Sequence, residues 1–292
     1  MRVKISADST CDLPREIILK YDVGIVPLYI VKGGQSYKDG VEITPDALFD
    51  YVDSGAGTCH TAAVNIADYT DAFTSYLREY DAVVHINISG ALSACNQNAV
   101  IAASELPNVF VVDSQNLSTG SGHLVYDAAL MAAEGAAPDE IASRIAALAP
   151  LVDASFVIDK LTYLHKGGRC SSLAALGANI LKLKPCIEVT DGRMDVGKKY
   201  RSSFDKAVLQ YVSDKLSDAD DIDGRRIFIT HPTRVPPEIT RSVVETVKSY
   251  GIFDEIIESE AGCAISNHSG AVCLGVLFYR KRGKSASDAS DR

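Results

Sequence analysis

In the first half of this 292-residue chain, short apolar runs alternate with helix signals, and that alternation restricts the fold more than any other feature. Residues 3–7, 82–88 and 109–113 have strand length and are mostly apolar, as strands buried in a covered sheet are. Residues 23–30 read as a further strand. Asp12 followed by Pro14 is placed to open a helix, Thr44-Pro45 gives the cap-then-proline order, and Asn65 caps a helix reaching about residue 78. Helices are also predicted from about residue 94, over 124–134 and over 139–149. This alternation predicts an α/β fold, with a mainly parallel sheet covered by helices on both faces.

Past Pro150 the pattern changes. Residues 156–159 read as a strand, 173–181 as a helix, and 186–189 with 194–198 as a hairpin around Asp191-Gly192. Strands at 227–231, 253–259 and 274–279 then alternate with helices. Hairpins mixed with helices predict an α+β domain on a mixed or antiparallel sheet. The expected organisation is an N-terminal α/β domain over 1–150, a C-terminal α+β domain over 151–280 and a disordered polar tail over 281–292. No linker holds the domains apart, so a ligand tunnel is expected between them.

Several function classes are excluded. A net charge of −9 argues against a nucleic-acid surface, which needs clustered Lys and Arg. No apolar run approaches the roughly 20 residues that span a bilayer, and residue 3 already begins a strand, so a cytoplasmic protein with at most transient membrane contact is expected. The seven cysteines are dispersed and form no Cys-x-x-Cys, which favours free thiols over disulfides or zinc. Phosphate-binding Gly-x-x-x-x-Gly-Lys-Ser/Thr, His-Glu-x-x-His and Gly-x-Ser-x-Gly patterns are all missing, so neither a metal nor a cofactor is expected.

Four polar runs stand out: Thr58-Cys59-His60-Thr61, Ser89-Gly90-Ala91-Leu92-Ser93, Lys166-Gly167-Gly168-Arg169-Cys170-Ser171 and Asn267-His268-Ser269-Gly270. The second lies between a strand and a helix, where small residues let an anion reach unpaired backbone N–H groups; an ordinary tight connection has the same pattern. In the third, two glycines permit a turn and project a guanidinium, which suits a carboxylate or a plain surface position after a helix cap. His60 and His268 taken singly are as readily solvated or structural as ligand-binding. Together, small hydroxyls, one arginine and one histidine suit a single carboxylate at the mouth of an apolar tunnel.

In order and spacing these runs resemble the DegV family of fatty-acid-binding proteins. Its members carry Thr-Ser-Gln-Pro-Ser, Ser-Ser-x-Leu-Ser-Gly-Thr, Gly-Gly-Arg-Ile-Ser and a late His-x-Gly-Pro-Gly. The resemblance extends from about residue 3 to residue 279. It implies that Thr58, Ser93, Arg169 and His268 bind the carboxylate of a long-chain fatty acid, with Cys59 and Ser89 as weaker contacts. The chain departs from the family at Gly90, Ala94 and Cys95, at Cys59, His60, Thr61 and Ala62, and at Ala271, Val272 and Cys273.

The resemblance also implies a non-catalytic carrier that works with a separate ATP-dependent fatty acid kinase. Lys198-Lys199-Tyr200-Arg201 matches a basic segment of the family, which makes Lys199 and Arg201 expected contacts for the kinase or the transferred phosphate. A solvated, charged edge strand accounts for the same residues. Two other readings stand beside the carrier. One is an acyl hydrolase with Ser93 as nucleophile and His268 as base, for which no acidic third group is identifiable. The other is a dihydroxyacetone-kinase-like unit that binds a small substrate.

Overall fold

The computed structural model describes residues 1–172 and 183–282; the helix expected over 173–181 and the tail beyond residue 282 lie outside the described residues. Strand β1 (Val3–Asp8) pairs in parallel with β2 (Gly24–Val26) and with β6 (Ala82–Asn87), and β6 pairs in parallel with β7 (Val109–Asp113), giving the order β2-β1-β6-β7. The middle strands β1 and β6 are buried because helices cover both faces. Helices α3 (Ile66–Leu77) and α4 (Cys95–Ser104) pack together on one face, and α5 (Thr119–Ala133) and α6 (Pro138–Leu148) pack together on the other. Local chemistry sets the helix starts. Thr44 Oγ1 accepts from the Ala47 N–H at 3.3 Å to cap α2 (Pro45–Asp53), and Asn65 Oδ1 accepts from the Asp68 N–H at 2.9 Å to cap α3.

Two expectations for the N-terminal half need correction. The strand read over 23–30 is divided: β2 stays in the parallel sheet, while β3 (Tyr29–Lys32) joins β4 (Gln35–Lys38) and β5 (His60–Ala62) in a separate antiparallel sheet. Pro27 has no N–H to continue the ladder, and the next N–H, on Leu28, donates to Ser9 Oγ at 3.1 Å. Asp12 does not cap a helix either, since α1 (Arg15–Lys20) follows Pro14 as its cap residue. Asp12 instead adopts a left-handed φ of 48°, and its carboxyl accepts from Ser118 Oγ at 2.5 Å and the Gly262 N–H at 2.9 Å.

Past Pro150 the chain builds a mixed sheet in the order β10-β9-β8-β13-β11-β12. Its strands are β8 (Val152–Ile158), β9 (Lys184–Thr190), β10 (Arg193–Tyr200), β11 (Ile222–His231), β12 (Glu255–Glu260) and β13 (Cys273–Arg280). Only β11 and β12 run parallel. Asp191 and Gly192 turn the β9–β10 hairpin with φ of 50° and 75°, the left-handed pair that a two-residue hairpin turn requires. Helices α8 (Phe204–Lys215) and α9 (Pro237–Tyr250) cover the outer face.

The period-two alternation of β13 divides two cores. Cys273, Leu277 and Tyr279 join the core shared with the N-terminal sheet, whereas Leu274, Val276 and Phe278 join the one beneath α8 and α9. Helix α5 lies between the two sheets, buried continuously from Thr119 to Ala129. It is fastened to the mixed sheet by Thr119 Oγ1 against Thr230 Oγ1 at 2.6 Å and by His123 Nε2 donating to the Leu277 carbonyl at 2.8 Å. Burial pushes His123 down to about 3, so it stays a neutral donor. The β4-β3-β5 sheet and α2 pack against the short helix α10 (Cys263–Ser269), and Arg234 reaches across to Asp50 and Asp53 of α2. Among the described residues no disulfide forms, and no helix is long and apolar enough to cross a membrane.

Candidate ligand-binding site

Where the two sheets, α5 and α10 meet, the packing leaves a cavity of about 210 Å³. Its wall is mainly apolar: Leu28, Ile88 and Leu92 come from the N-terminal half, and Phe156, Met194 and Leu277 from the mixed sheet. Cys273, Gly275 and Leu277 line it along alternate positions of β13. Thr61, Ser93, Arg169 and His268 bring polar groups to the same wall.

His268 occupies the last turn of α10. Its Nε2 lies 2.9 Å from Thr61 Oγ1 on β5. Its Nδ1 is buried without a hydrogen-bond partner and faces Gly167 at the end of α7 (Thr162–Gly167). A buried N–H left unpaired costs more than a buried lone pair, so we assign the ring proton to Nε2, donating to Thr61. The Thr61 proton is then left for the cavity. Burial, reinforced by the nearby Arg169 charge, pushes His268 down to about 4, so the imidazole is neutral near pH 7.

Gly167 is required by this contact, because a Cβ there would fall inside the His268 ring's contact distance. Gly168 ends α7 with a left-handed φ of 67°, as a helix C-cap glycine does. Arg169 follows it; one guanidinium nitrogen donates to the Gly167 carbonyl at 2.7 Å, and the side chain stays exposed at the edge of the cavity. Ser93 precedes α4. Its Oγ accepts from the Cys95 N–H at 3.3 Å and donates to Cys95 Sγ at 3.2 Å.

The other residues singled out in the sequence lie elsewhere. Thr58 is exposed and is not part of the wall; Thr61, from the same run, is. The pattern that marks Thr61 is the alternation through β5, where Cys59 is buried, His60 exposed, Thr61 half-buried and Ala62 exposed. Cys59 packs into the core, where burial raises its thiol pKa. Ser89 is buried, and its hydroxyl donates to the Gly192 carbonyl at 2.8 Å, tying the hairpin turn to the β6–α4 loop. Lys199 and Arg201 are exposed at the far end of β10. Ser93 and His268 share the cavity wall but make no hydrogen bond to each other among the described residues; Ser93 turns to Cys95 and His268 to Thr61. Among the described residues no group of three or more His, Cys, Asp or Glu is placed to hold a metal ion.

Comparison with known proteins agrees with this architecture. The family description "Uncharacterised protein, DegV family" matches residues 2–281. A DegV domain-containing protein from Caldanaerobacter subterraneus is 31% identical over 283 residues, covering 96% of this chain and 99% of that protein. A DegV family protein from Thermus thermophilus, whose structure is described by its fatty acid binding, superposes with a TM-score of 0.88 at 29% identity, over 96% of this chain and 100% of that one. A stearic-acid-binding protein from Eubacterium ventriosum gives a TM-score of 0.82 at 26% identity, over 96% and 98% of the two chains. With the family matched from residue 2 to residue 281 and a DegV structure superposing over 96% of the chain, the chain belongs to the DegV family.

Proposed function

We propose that this chain is a non-catalytic carrier of one long-chain fatty acid, held with its acyl chain in the cavity and its carboxylate at Thr61, Ser93, Arg169 and His268. The observation that carries the reading is the composition of the cavity wall: a mainly apolar lining whose polar side chains include these four. Each buried CH₂ stabilises the complex by about 0.8 kcal/mol before the costs of binding, so the polar groups need only orient the head group. Arg169 supplies a permanent charge, Thr61 and Ser93 supply hydroxyl donors, and His268 orients Thr61. Thr61 takes the part that the resemblance gave to Thr58. The fatty acids named for the Thermus thermophilus and Eubacterium ventriosum proteins support the ligand class.

In this reading the carrier presents the carboxylate to a separate ATP-dependent fatty acid kinase in the cytoplasm, with Lys199 and Arg201 on the exposed end of β10 meeting the kinase or the transferred phosphate. Protein purified from bacterial cells, denatured and extracted, is expected to release about one equivalent of long-chain fatty acid. Delipidated protein refilled with stearate is expected to yield acyl phosphate with a fatty acid kinase and ATP. An extract without acyl species, together with no binding of added stearate, would overturn the carrier. Hydrolysis of acyl esters by the protein alone, lost in both Ser93→Ala and His268→Ala, would replace it with the hydrolase.

A further inference from the structure

Helix α10 carries His268 on its last turn but is too short to hold its own place. Seven residues are well below the length at which a helix persists alone in water, so attachments to other elements fix where it lies. Its cap residue is Gly262, which has no side chain to receive the first N–H groups. Two carboxyl groups from the N-terminal half receive them instead. The Gly262 N–H donates to Asp12 Oδ1 at 2.9 Å, the Cys263 N–H to Asp39 Oδ1 at 2.9 Å and the Ala264 N–H to Asp39 Oδ2 at 3.3 Å. The Ser9 hydroxyl also donates to Asp39 Oδ2, at 2.8 Å.

Asp39 and Thr61 are anchored to the same small sheet. The Asp39 N–H, just past β4, donates to the Leu28 carbonyl at 2.9 Å, and Thr61 on β5 lies opposite Ile30 on β3. Asp39 grips α10 at its first residues, and Thr61 meets it at His268, about 8 Å farther along the axis. The sheet therefore holds α10 at both ends, and the grip at Asp39 sets where His268 Nε2 falls relative to Thr61 Oγ1. Asp12 ties the same helix start to Ser118, at the head of α5.

The two carboxyls differ in what can replace them. Backbone N–H groups bond to both oxygens of Asp39, so both must accept. An amide has one accepting oxygen, and in either orientation its NH₂ would face an N–H. At Asp12 an N–H bonds to Oδ1 and a hydroxyl to Oδ2; a hydroxyl can accept from an amide nitrogen, so asparagine keeps both bonds there.

We propose that Asp39 is a positioning residue for the head-group site: by fixing the start of α10 to the small sheet it places His268 to donate to Thr61, which turns the Thr61 proton toward the carboxylate. The proposal rests on the fatty-acid reading above.

Calorimetric binding of stearate to delipidated protein, in a double-mutant cycle with His268, tests this. Asp39→Asn is expected to weaken binding about tenfold, but only within about twofold in His268→Ala, where no imidazole is left to place. Asp12→Asn is expected to stay within about twofold of wild type. Ser9→Ala removes one donor to Asp39 and leaves both bonds to α10; it is expected to weaken binding about threefold, again only with His268 present, and it decides the matter if Asp39→Asn does not fold. The nitrogen resonances of the His268 ring read the placement without ligand: a proton on Nε2 in wild type and Asp12→Asn, and a mixture of Nε2 and Nδ1 forms in Asp39→Asn. A merely structural role would weaken binding alike with and without His268. That result, wild-type affinity in Asp39→Asn, or an unchanged His268 tautomer in that variant would overturn the proposal while leaving the carrier in place. Wild-type protein that binds no stearate would overturn the carrier and the proposal together.

Discussion

Replacing Gly167 by Ala isolates the head-group geometry from the stability of the fold. A Cβ built on Gly167 lies 3.0 Å from His268 Cε1, 3.3 Å from Cγ and closer still to Nδ1, so the imidazole has to shift away from α7. The His268–Thr61 bond starts at 2.9 Å, and a displacement of about 1 Å takes it beyond hydrogen-bonding range. Losing one oriented donor costs about 1–1.5 kcal/mol, or about a tenfold loss of fatty-acid affinity. Alanine also favours the helical conformation over glycine by up to about 1 kcal/mol, which offsets part of the clash, so Tm is expected to stay within about 4 °C of wild type. Calorimetry with stearate and a thermal melt measure the two effects. His268→Ala supplies the control: with the ring gone, Gly167→Ala has nothing to displace and the two losses are not additive. Wild-type affinity in Gly167→Ala, or full additivity with His268→Ala, would refute the reasoning.

Two further perturbations follow from particular residues. Arg169→Ala is expected to weaken stearate binding about tenfold, at the low end for a charged contact because the guanidinium is exposed, and the deficit is expected to shrink as ionic strength rises; Thr58→Ala, outside the wall, is expected to stay within about twofold. The Asp12 carboxyl is raised to about 8 by burial, against the lowering effect of its bonds to Ser118 and Gly262, with Asp39 adding to the rise. Between its ordinary value near 3.8 and about 8 the folded state binds the extra proton, so this group makes the fold lose stability as pH rises through that window. Urea unfolding at several pH values is expected to show a weaker decline in Asp12→Asn, and identical pH profiles would show that the group titrates normally.

Local signals in the sequence placed much of the fold. The apolar run 82–88, the small polar loop and the helix after Ala94 are contiguous, so Ser93 was placed without tertiary information. The same holds for the side-chain caps at Thr44 and Asn65 and for the Asp191-Gly192 turn. Misplaced features depend on partners far along the chain. Asp12 has the composition of a cap, but its partners are Ser118 and Gly262, more than a hundred residues away. Helix α5 begins at Thr119 rather than residue 124, because its Thr-Gly-Ser-Gly start has poor helix propensity and is stabilised by burial between two sheets. The bounds of helix α10 are not legible in the sequence, since Cys263, Ala264 and Ser266 are all buried and leave no amphipathic stripe to read. Thr58 and Thr61 belong to one polar run, and the in-out alternation through β5 separates them, leaving Thr61 half-buried and Thr58 exposed. The Tyr69–Asp8 bond joins α3 to β1, and nothing in sequence spacing brings those two residues together.

The carrier proposed above rests on a fatty acid lying in the cavity with its carboxylate at the Thr61–His268 pair, Ser93 and Arg169. A crystal structure of the protein refilled with stearate tests it most directly. One acyl chain is expected to pass Leu28, Phe156, Met194 and Leu277, with carboxylate oxygens within hydrogen-bonding distance of Thr61 Oγ1 and Ser93 Oγ and with Arg169 beside them. Density for the head group away from these residues, or stearate bound only outside the cavity, would contradict it.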